Sequence, residues 1–224
     1  RLTAAEERDV RTCAAERRRR FDVAYLGNFR SGRNNHPFLW RHGGARAAYR
    51  EFHDGNRTIV AEGLTTQEEP GGTGARYRTN LTYGEVLRAG RFLLAPRGDN
   101  KFSFRFAEVL AAGGIPVYHA DDYLFPFRPE AVDWGRCAVI LPERDAGARA
   151  LRYLAALSAE ERCRRRNYCY FGIYKRYVET FAGQVSGYVE GLEGFYRARR
   201  EKRTVEYAGI RCNASSIAAL DCNP

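Results

Sequence analysis

Residues 91–127 combine fixed positive charge with a helix start in a way that suits phosphate binding. An apolar stretch ends at a turn over 96–98, and a helical pattern follows from Ser103. Arg97 lies in the turn and Arg105 in the first helical turn, so both guanidinium groups can approach one point. Because the N-terminus of a helix also favours anions, this segment predicts a phosphate or pyrophosphate site.

Two further side chains of this helix have predicted roles. Ser103 can cap the helix or donate a hydrogen bond to the ligand. Glu108 follows Arg105 by three residues, so both share a helix face. A carboxylate there can accept hydrogen bonds from ribose hydroxyl groups, as in other nucleotide-binding α/β folds. An Arg105–Glu108 ion pair on a solvated surface explains the spacing equally well, and both interpretations remain open.

Short apolar stretches alternate with helical patterns along the chain. The five predicted strands are residues 21–27, 57–63, 91–96, 115–119 and 137–143. Each is apolar throughout, which is typical of parallel strands that are covered on both faces. The sequence therefore predicts an α/β fold, a Rossmann-like parallel sheet with helices on both faces. Such sheets bind ligands at the carboxyl ends of their strands.

Helical patterns fill the remaining segments. We predict helices over residues 3–20, 44–53, 82–90, 103–114 and, with interruptions near Ser158 and Gly172, over 145–200. Thr3 and Glu6 have the spacing of a capping box, and the basic run at 17–20 suits a solvated helix end. Several aromatic residues are expected on the buried side of the last helices: Tyr168, Tyr170, Phe171, Tyr174, Tyr177 and Phe181. Residues 201–224 are expected to form an extended tail.

The chain is strongly basic, with a net charge of +10, and all but three of its 37 basic residues are Arg. Arg binds phosphate and sulfate groups bidentately, so one interpretation is a surface suited to such groups. The other is a coding bias toward Arg and Ala. No apolar run is long enough to span a membrane.

Cysteines and glycosylation sequons favour the secretory pathway. The six Cys include no CxxC pair and His is scarce, so no zinc site is expected. Disulfides are permitted, with Cys212–Cys222 as one possible pairing. The sequons predict glycosylation at Asn56, Asn80 and Asn213.

Residues 96–117 carry a specific order of motifs: a P-R-G turn, then S-x-R-x-x-E, a short Ala/Gly stretch and I-P-V. The residues concerned are Pro96, Arg97, Gly98, Ser103, Arg105, Glu108, Gly113, Gly114, Ile115, Pro116 and Val117. This order resembles the signature of exostosin-type glycosyltransferases. The similarity extends over roughly 21–180 and includes D-D-Y-L-F-P-F at 121–127 and V-D-W at 132–134. The strand and glycine turn at 21–33 resemble the start of the family's second Rossmann-like domain.

The resemblance implies the C-terminal, donor-binding domain of a GT-B fold with a helical C-terminal extension. Its domains would be a helix or linker from a missing upstream domain at 1–20, the donor-binding domain at 21–200 and a tail at 201–224. It implies inverting transfer from a nucleotide-sugar, expected to be UDP-linked, to a glycan acceptor, without a separate cofactor or metal. Residues implied to bind the donor are Arg97, Gly98, Ser103, Arg105, Glu108, Gly27 and Arg30.

The resemblance leaves the acceptor side open. We expect it on a missing N-terminal domain or a partner subunit, and any membrane anchor outside this chain, as for a Golgi or secretory-pathway enzyme. No catalytic base is assigned. Asp121, Asp122 and His119 are candidates near the cleft, although a lone His at a strand end is more often structural.

Two other functions are compatible with a basic α/β domain. The first is a non-catalytic lumenal module that binds acidic polysaccharide through its basic surface. The second is nucleic-acid binding, which basic charge alone suggests but no motif supports. We therefore expect no nucleic-acid partner.

Overall fold

A computed structural model describes residues 1–27, 48–61, 79–96, 103–119, 121 and 124–201, together with the backbone of three short strands in 204–223. Its main sheet has five parallel strands in the order β2-β1-β3-β4-β5. They are β1 (Phe21–Leu26), β2 (Thr58–Ala61), β3 (Gly90–Leu94), β4 (Ile115–His119) and β5 (Val139–Leu141). The predicted Rossmann-like parallel sheet is confirmed, and all five strands lie within their predicted segments but for the first residue of β3.

Helices occupy most of the remaining described chain. They are α1 (Ala4–Arg11), α2 (Ala15–Arg18), α3 (Tyr83–Ala89), α4 (Arg105–Ala111), α5 (Trp134–Cys137), α6 (Ala148–Ala156), α7 (Ala159–Asn167) and α8 (Phe181–Arg200). A 3-10 turn spans Glu143–Asp145, and a π-helical stretch spans Tyr168–Val178. Residues 48–50 are also helical, within the predicted helix at 44–53, whose earlier residues lie outside the described ranges.

The sheet is covered on both faces, as its apolar strands predict. Val23 and Tyr25 of β1 pack into one cluster with α6, whereas Ala24 and Leu26 pack into another with α3 and α4. Successive side chains of a strand point to opposite faces, so an apolar residue is required at each of these positions. Helices α3 and α4 therefore share one side of the sheet.

A third apolar cluster joins α4 to the π-helical stretch. Tyr170, Tyr174 and Tyr177 are buried in it beside Phe106 and Trp134, which confirms that these tyrosines face the core. The sequence predicts Phe181 in the same buried group, and that prediction is wrong. The residue is 81% exposed because it begins the separate helix α8, which has turned away from the core.

The N-terminal helix is shorter than predicted. Thr3 and Glu6 form the expected capping box, but the helix ends after Arg11 instead of continuing to residue 20. Cys13 adopts a positive φ of 65°, which a helix cannot accommodate. Its side chain is bonded to Cys163 of α7, so the disulfide and the break in the helix occur at the same residue.

The C-terminal helices also differ from prediction in one interruption. A break occurs at Ser158, as predicted, where the side chain caps α7. The second break lies at Thr180 and not near Gly172, because the Thr180 side chain caps α8. The extended tail forms a small antiparallel sheet of β6 (Thr204–Tyr207), β7 (Ile210–Asn213) and β8 (Cys222–Asn223).

Among the described residues, two disulfides connect the N-terminal segment and α5 to the later helices. Cys13 is bonded to Cys163 across 150 residues, with a Cα–Cα distance of 5.3 Å. Cys137 is bonded to Cys169, with a Cα–Cα distance of 4.8 Å. In the tail, the backbone register places residue 212 opposite residue 222, the pair that the sequence analysis named as a possible staple.

Arg19 is the main exception to the expectation that the basic run at 17–20 is solvated. Its side chain is buried, and it donates four hydrogen bonds to backbone carbonyl groups. The acceptors are Leu87 at 3.0 Å, Gly90 at 2.8 Å, Ala112 at 2.6 Å and Gly113 at 2.9 Å. These carbonyls lie at the C-terminal ends of α3 and α4, which carry partial negative charge. One guanidinium group therefore holds both helix ends together.

Replacing Arg19 with Met should lower the free energy of unfolding by about 3 kcal/mol or more, because buried carbonyl groups lose a charged donor. Urea unfolding followed by circular dichroism measures this. Arg17→Met is the matched control, since Arg17 is exposed, and should change stability by less than about 0.5 kcal/mol. Equal stability of the two variants would contradict the role of Arg19.

Candidate active site

The predicted site lies where β1 ends and α4 begins, at the carboxyl edge of the sheet. Arg105, the first residue of α4, donates a hydrogen bond of 2.6 Å from Nη1 to the carbonyl oxygen of Leu26. Its guanidinium carbon lies 4.4 Å from the ring centre of Tyr25 and 5.3 Å from that of Tyr83. Contacts between a cation and aromatic rings at these distances are attractive. The charge of Arg105 is therefore held in a fixed position at the sheet edge.

Glu108 is fixed by the neighbouring helix. Its Oε2 accepts a hydrogen bond of 2.5 Å from the hydroxyl of Tyr83 in α3. Burial raises the pKa of the Tyr83 phenol, and the bond to Glu108 raises it further, so Tyr83 stays a donor. In the described part of the chain Glu108 makes no ion pair with Arg105, so the surface-pair interpretation of their spacing is wrong.

The first turn of α4 differs from the predicted arrangement. Phe104 precedes the helix as its cap residue and makes no side-chain capping bond, so Ser103 is not the N-cap. Ser103 contributes its carbonyl oxygen, which accepts from the N–H of Phe106 at 3.1 Å, and the Phe104 carbonyl accepts from Ala107 at 3.1 Å. These bonds satisfy two of the first N–H groups of α4, so fewer N–H groups at this helix end remain for a ligand.

Gly27 leaves room for the observed position of Arg105. A Cβ atom at residue 27 would collide with Nη2 of Arg105 and would lie 2.9 Å from the hydroxyl oxygen of Tyr25. The absence of a side chain lets the guanidinium group approach the end of β1. The structure thus brings Gly27, Ser103, Arg105 and Glu108 to one region. Arg97, Gly98 and Arg30 lie outside the described residues, and their roles remain predictions.

The family model for the Exostosin GT47 domain matches residues 15–156, which include all five parallel strands and the cluster around Arg105. This match covers more than half of the chain. The chain belongs to the exostosin GT47 family.

Curated exostosins are similar to this chain over part of its length. The Exostosin-1 homolog of Caenorhabditis elegans is 44% identical over 64 residues, covering 29% of this chain and 16% of the relative. Exostosin-1b of Danio rerio is 44% identical over 62 residues, covering 28% and 8%. Exostosin-2 of Homo sapiens is 39% identical over 61 residues, covering 27% and 8%. The aligned part is less than a fifth of each relative.

Tyr25 and Tyr83 are site residues of this exostosin domain that the sequence analysis did not identify. Both tyrosines lie beside Arg105, but they come from a strand and a helix that are separated by more than fifty residues in sequence. Their positions depend on β1 lying next to β3, an order that local patterns do not specify. The one local feature that could have identified Tyr83 is its place directly after the cap residue Thr82, at the first position of α3.

His119 has a structural role in the described chain. Its Nδ1 lies 3.3 Å from the carbonyl oxygen of Pro142, which can only accept, so Nδ1 carries the proton. Nε2 then accepts from the hydroxyl of Tyr49 at 2.5 Å. Asp121 accepts from the N–H of Glu143 at 3.2 Å, and Asp122 lies outside the described residues. With both nitrogens of His119 occupied, the geometry assigns no base.

A cavity of about 580 Å³ opens at the opposite, amino-terminal edge of the sheet. Asp22 lies in its wall and pairs with Arg91 at 2.5 Å and with Arg57 at 2.5 Å, while Arg162 pairs with Glu16 at 3.0 Å. Each of these guanidinium groups is therefore already paired with a carboxylate. The cavity is separate from the cluster around Arg105.

Other predicted features have a place in the structure. Asn56 and Asn80 are exposed, and their glycosylation remains a prediction, as does that of Asn213. Within the described ranges, no group of three or more His, Cys, Asp or Glu side chains is arranged to hold a metal ion. Every helix in those ranges is too short or too polar to cross a bilayer.

Acid should destabilise the protein through His119. Burial lowers the pKa of this imidazole from its usual value of 6.5, so below pH 6.5 the unfolded chain binds the proton more readily and stability falls. At pH 5 the loss is at most about 2 kcal/mol. Unfolding of wild type and His119→Gln by urea at pH 7.5 and 5.0 measures it.

The His119→Gln protein should be less stable at pH 7.5 but should lose less stability on acidification. His53 has a pKa lowered in the same direction and is kept in both proteins, so it cancels in the comparison. An identical decrease in both proteins would show that His119 does not stay neutral in the fold.

Proposed function

We propose that this chain is the donor-binding domain of an inverting glycosyltransferase that takes a nucleotide-sugar, expected to be UDP-linked, and serves a glycan acceptor. Membership of the exostosin GT47 family supports glycosyl transfer in general. The observation that carries the finer proposal is the cluster of Arg105, Tyr25, Tyr83 and Glu108 at the carboxyl edge of a parallel sheet, where such folds bind nucleotides.

Arg105 is suited to a diphosphate because its charge is positioned before a ligand arrives. One guanidinium nitrogen is bonded to Leu26, and the tyrosine rings fix the plane of the group. A cation that need not reorganise stabilises developing charge effectively. Arg97, from the adjoining loop, is proposed to contribute a second positive charge to the same diphosphate.

Glu108 is suited to a ribose because it is a carboxylate held at a defined place. The hydroxyl of Tyr83 donates one hydrogen bond to Oε2 of Glu108. An ionised carboxylate can accept about four hydrogen bonds. The remaining capacity can accept the hydroxyl groups of a ribose diol.

The proposed reaction is a single displacement. An acceptor hydroxyl attacks the anomeric carbon from the face opposite the nucleotide, the bond from that carbon to the phosphate oxygen breaks, and the nucleoside diphosphate leaves. The hydroxyl proton passes to a base that we propose lies on a missing N-terminal domain or a partner subunit. The protein's guanidinium groups stabilise the negative charge that the leaving group gains.

The alternative, a lumenal module that binds acidic polysaccharide through dispersed basic charge, is less well supported. Arg19 and Arg166 are buried and are bonded to backbone carbonyl groups, and Arg91 is paired with Asp22. Part of the net charge of +10 therefore supports the fold. A polysaccharide surface would require those charges to face the solvent.

We place this protein in the lumen of the Golgi or the secretory pathway, membrane-anchored through a segment outside this chain. The disulfides Cys13–Cys163 and Cys137–Cys169 support this proposal, because such bonds persist in oxidising compartments.

Arg105→Ala should weaken UDP binding by about tenfold to a hundredfold, the value of one or two hydrogen bonds to a charged group. Isothermal titration calorimetry with UDP and GDP measures it. Arg88→Ala is the matched control, because Arg88 is an exposed arginine of α3 and its loss changes the net charge equally. Equal UDP affinity in wild type and Arg105→Ala would exclude the proposed role.

Heparin chromatography separates the alternative function. The polysaccharide module predicts that salt weakens the retention of wild type on heparin. It also predicts the same retention for Arg97→Ala and Arg105→Ala, and no binding of UDP by wild type. Loss of UDP binding in Arg105→Ala with an unchanged melting temperature supports the donor site.

Tyr83→Phe should weaken UDP binding by about threefold to tenfold, because Glu108 loses the hydroxyl that positions it while Arg105 keeps an aromatic neighbour. The same titration measures it. Tyr153→Phe is the control, since Tyr153 is 45% exposed and lies on α6, on the other face of the sheet. An unchanged affinity in Tyr83→Phe would show that the bond to Glu108 does not contribute to binding.

A further inference from the structure

The cavity at the amino-terminal edge of the sheet is large enough to hold a ligand of its own. Its volume of about 580 Å³ lies within the range of about 300–1,000 Å³ that is typical of ligand pockets. Part of its wall is apolar and includes Phe52, together with Leu151 and Ala155 of α6. We refer to this space as the amino-edge cavity. It is separate from the candidate donor site, which lies at the carboxyl edge of the same sheet.

The polar wall of the amino-edge cavity consists largely of paired charges. Asp22 pairs with both Arg57 and Arg91, and Arg162 pairs with Glu16. A free anion would compete with these carboxylates for the guanidinium groups, whereas a neutral ligand would not. A hydroxyl group both donates and accepts, so it can bond a carboxylate oxygen and a guanidinium N–H at once. Paired charges beside an apolar wall therefore suit a neutral saccharide, which presents hydroxyl groups and C–H faces.

A glycosylation sequon forms part of the same wall. Arg57 and Thr58 are the second and third residues of the sequon at 56–58, and both line the cavity. Asn56 comes directly before them and is exposed. The backbone here is fixed, because the Asp54 carboxylate accepts hydrogen bonds from three successive N–H groups. They belong to Asn56 at 2.9 Å, Arg57 at 2.8 Å and Thr58 at 2.8 Å. A sugar on Asn56 therefore starts from a fixed point beside the cavity.

We propose that an N-linked glycan on Asn56 folds back into the amino-edge cavity and is bound there. Its first sugars place hydroxyl groups against the pair of Asp22 and Arg57 and a C–H face against Phe52. The proposal rests on the proposed location in the secretory pathway, where sequons receive glycans. It does not depend on the proposed donor site.

The covalent link to Asn56 favours an attached glycan over a saccharide from solution, although the two have the same chemistry. A group held by a short flexible link meets its binding site at an effective concentration of about millimolar. Weak hydrogen bonds to charges that are already paired are then sufficient to hold the sugars. A free saccharide would need a much higher affinity to occupy the cavity from dilute solution.

The first experiment identifies the asparagines that carry sugar. The chain is secreted from insect cells behind a signal peptide, and peptide mass spectrometry is applied to wild type and Asn56→Gln. We expect a glycan on residue 56 of wild type. Asn56→Gln should lose that glycan and keep any glycan on Asn80.

The second experiment measures how well the folded protein protects the Asn56 glycan from peptide N-glycosidase. Ala155→Trp fills part of the cavity and should speed the release of this glycan by about fivefold or more, because the enzyme acts only on molecules whose glycan lies outside the cavity. Ala156→Trp is the matched control, since both alanines are exposed on α6 but Ala155 lines the cavity and Ala156 does not. It should release the glycan at the rate of wild type.

Circular dichroism should show the same helix content in wild type and both tryptophan variants. After denaturation, all three proteins should release the Asn56 glycan at one rate, because the cavity is then lost. A difference that persists after denaturation would come from the glycan itself and would contradict protection by the cavity.

Two further results would overturn the proposal. Residue 56 of the secreted wild type could carry no glycan, or the folded wild type and Ala155→Trp could release it equally fast. A glycan on Asn80 but none on Asn56 would contradict only the proposed occupant of the cavity, whereas the absence of both would also contradict the secretory location. None of these measurements uses a nucleotide, so their outcome is independent of the donor site.

Discussion

The guanidinium group of Arg19 determines the relative position of the two helices that build the candidate site. It binds the carbonyl groups at the C-terminal ends of α3 and α4. At the other ends of the same helices, Tyr83 of α3 contacts both Glu108 and Arg105 of α4. The two helices are thus joined at both ends, once by a buried cation and once by the groups proposed to bind the donor. A ligand that binds at one end meets a pair of helices whose spacing is already set.

Most of the sheet could be predicted from the sequence, because each buried parallel strand is a short apolar run between breakers. Tertiary contacts move two of the helix boundaries away from the places that local patterns predict. Cys13 interrupts an otherwise helical pattern because its partner Cys163 lies 150 residues away, and local propensity contains no information about that bond. The spacing of Phe181 from the preceding tyrosines predicts a place on the same buried helix face. The helix breaks at Thr180, however, so Phe181 belongs to a separate helix.

The site could be predicted in its charges but not in its supporting contacts. Arg105 and Glu108 stand in a recognisable motif, so their types and spacing carried the prediction. The contacts that orient them come from Tyr25 and Tyr83, whose proximity depends on strand order. The predicted Ser103 cap failed for a related reason. The helix begins two residues later than the sequence pattern indicates, and the Ser103 carbonyl takes part in the first turn.

The links between residues 13–16 and α7 have a consequence for biosynthesis. Cys13 is bonded to Cys163, and Glu16 pairs with Arg162 and Arg166, so all three partners of the N-terminal segment are made about 150 residues after it. A ribosome completes all five parallel strands before α7 emerges. Throughout that interval the early segment holds an unoxidised thiol and an unpaired carboxylate. The N-terminal segment of this domain is therefore secured only after the whole parallel sheet has been made.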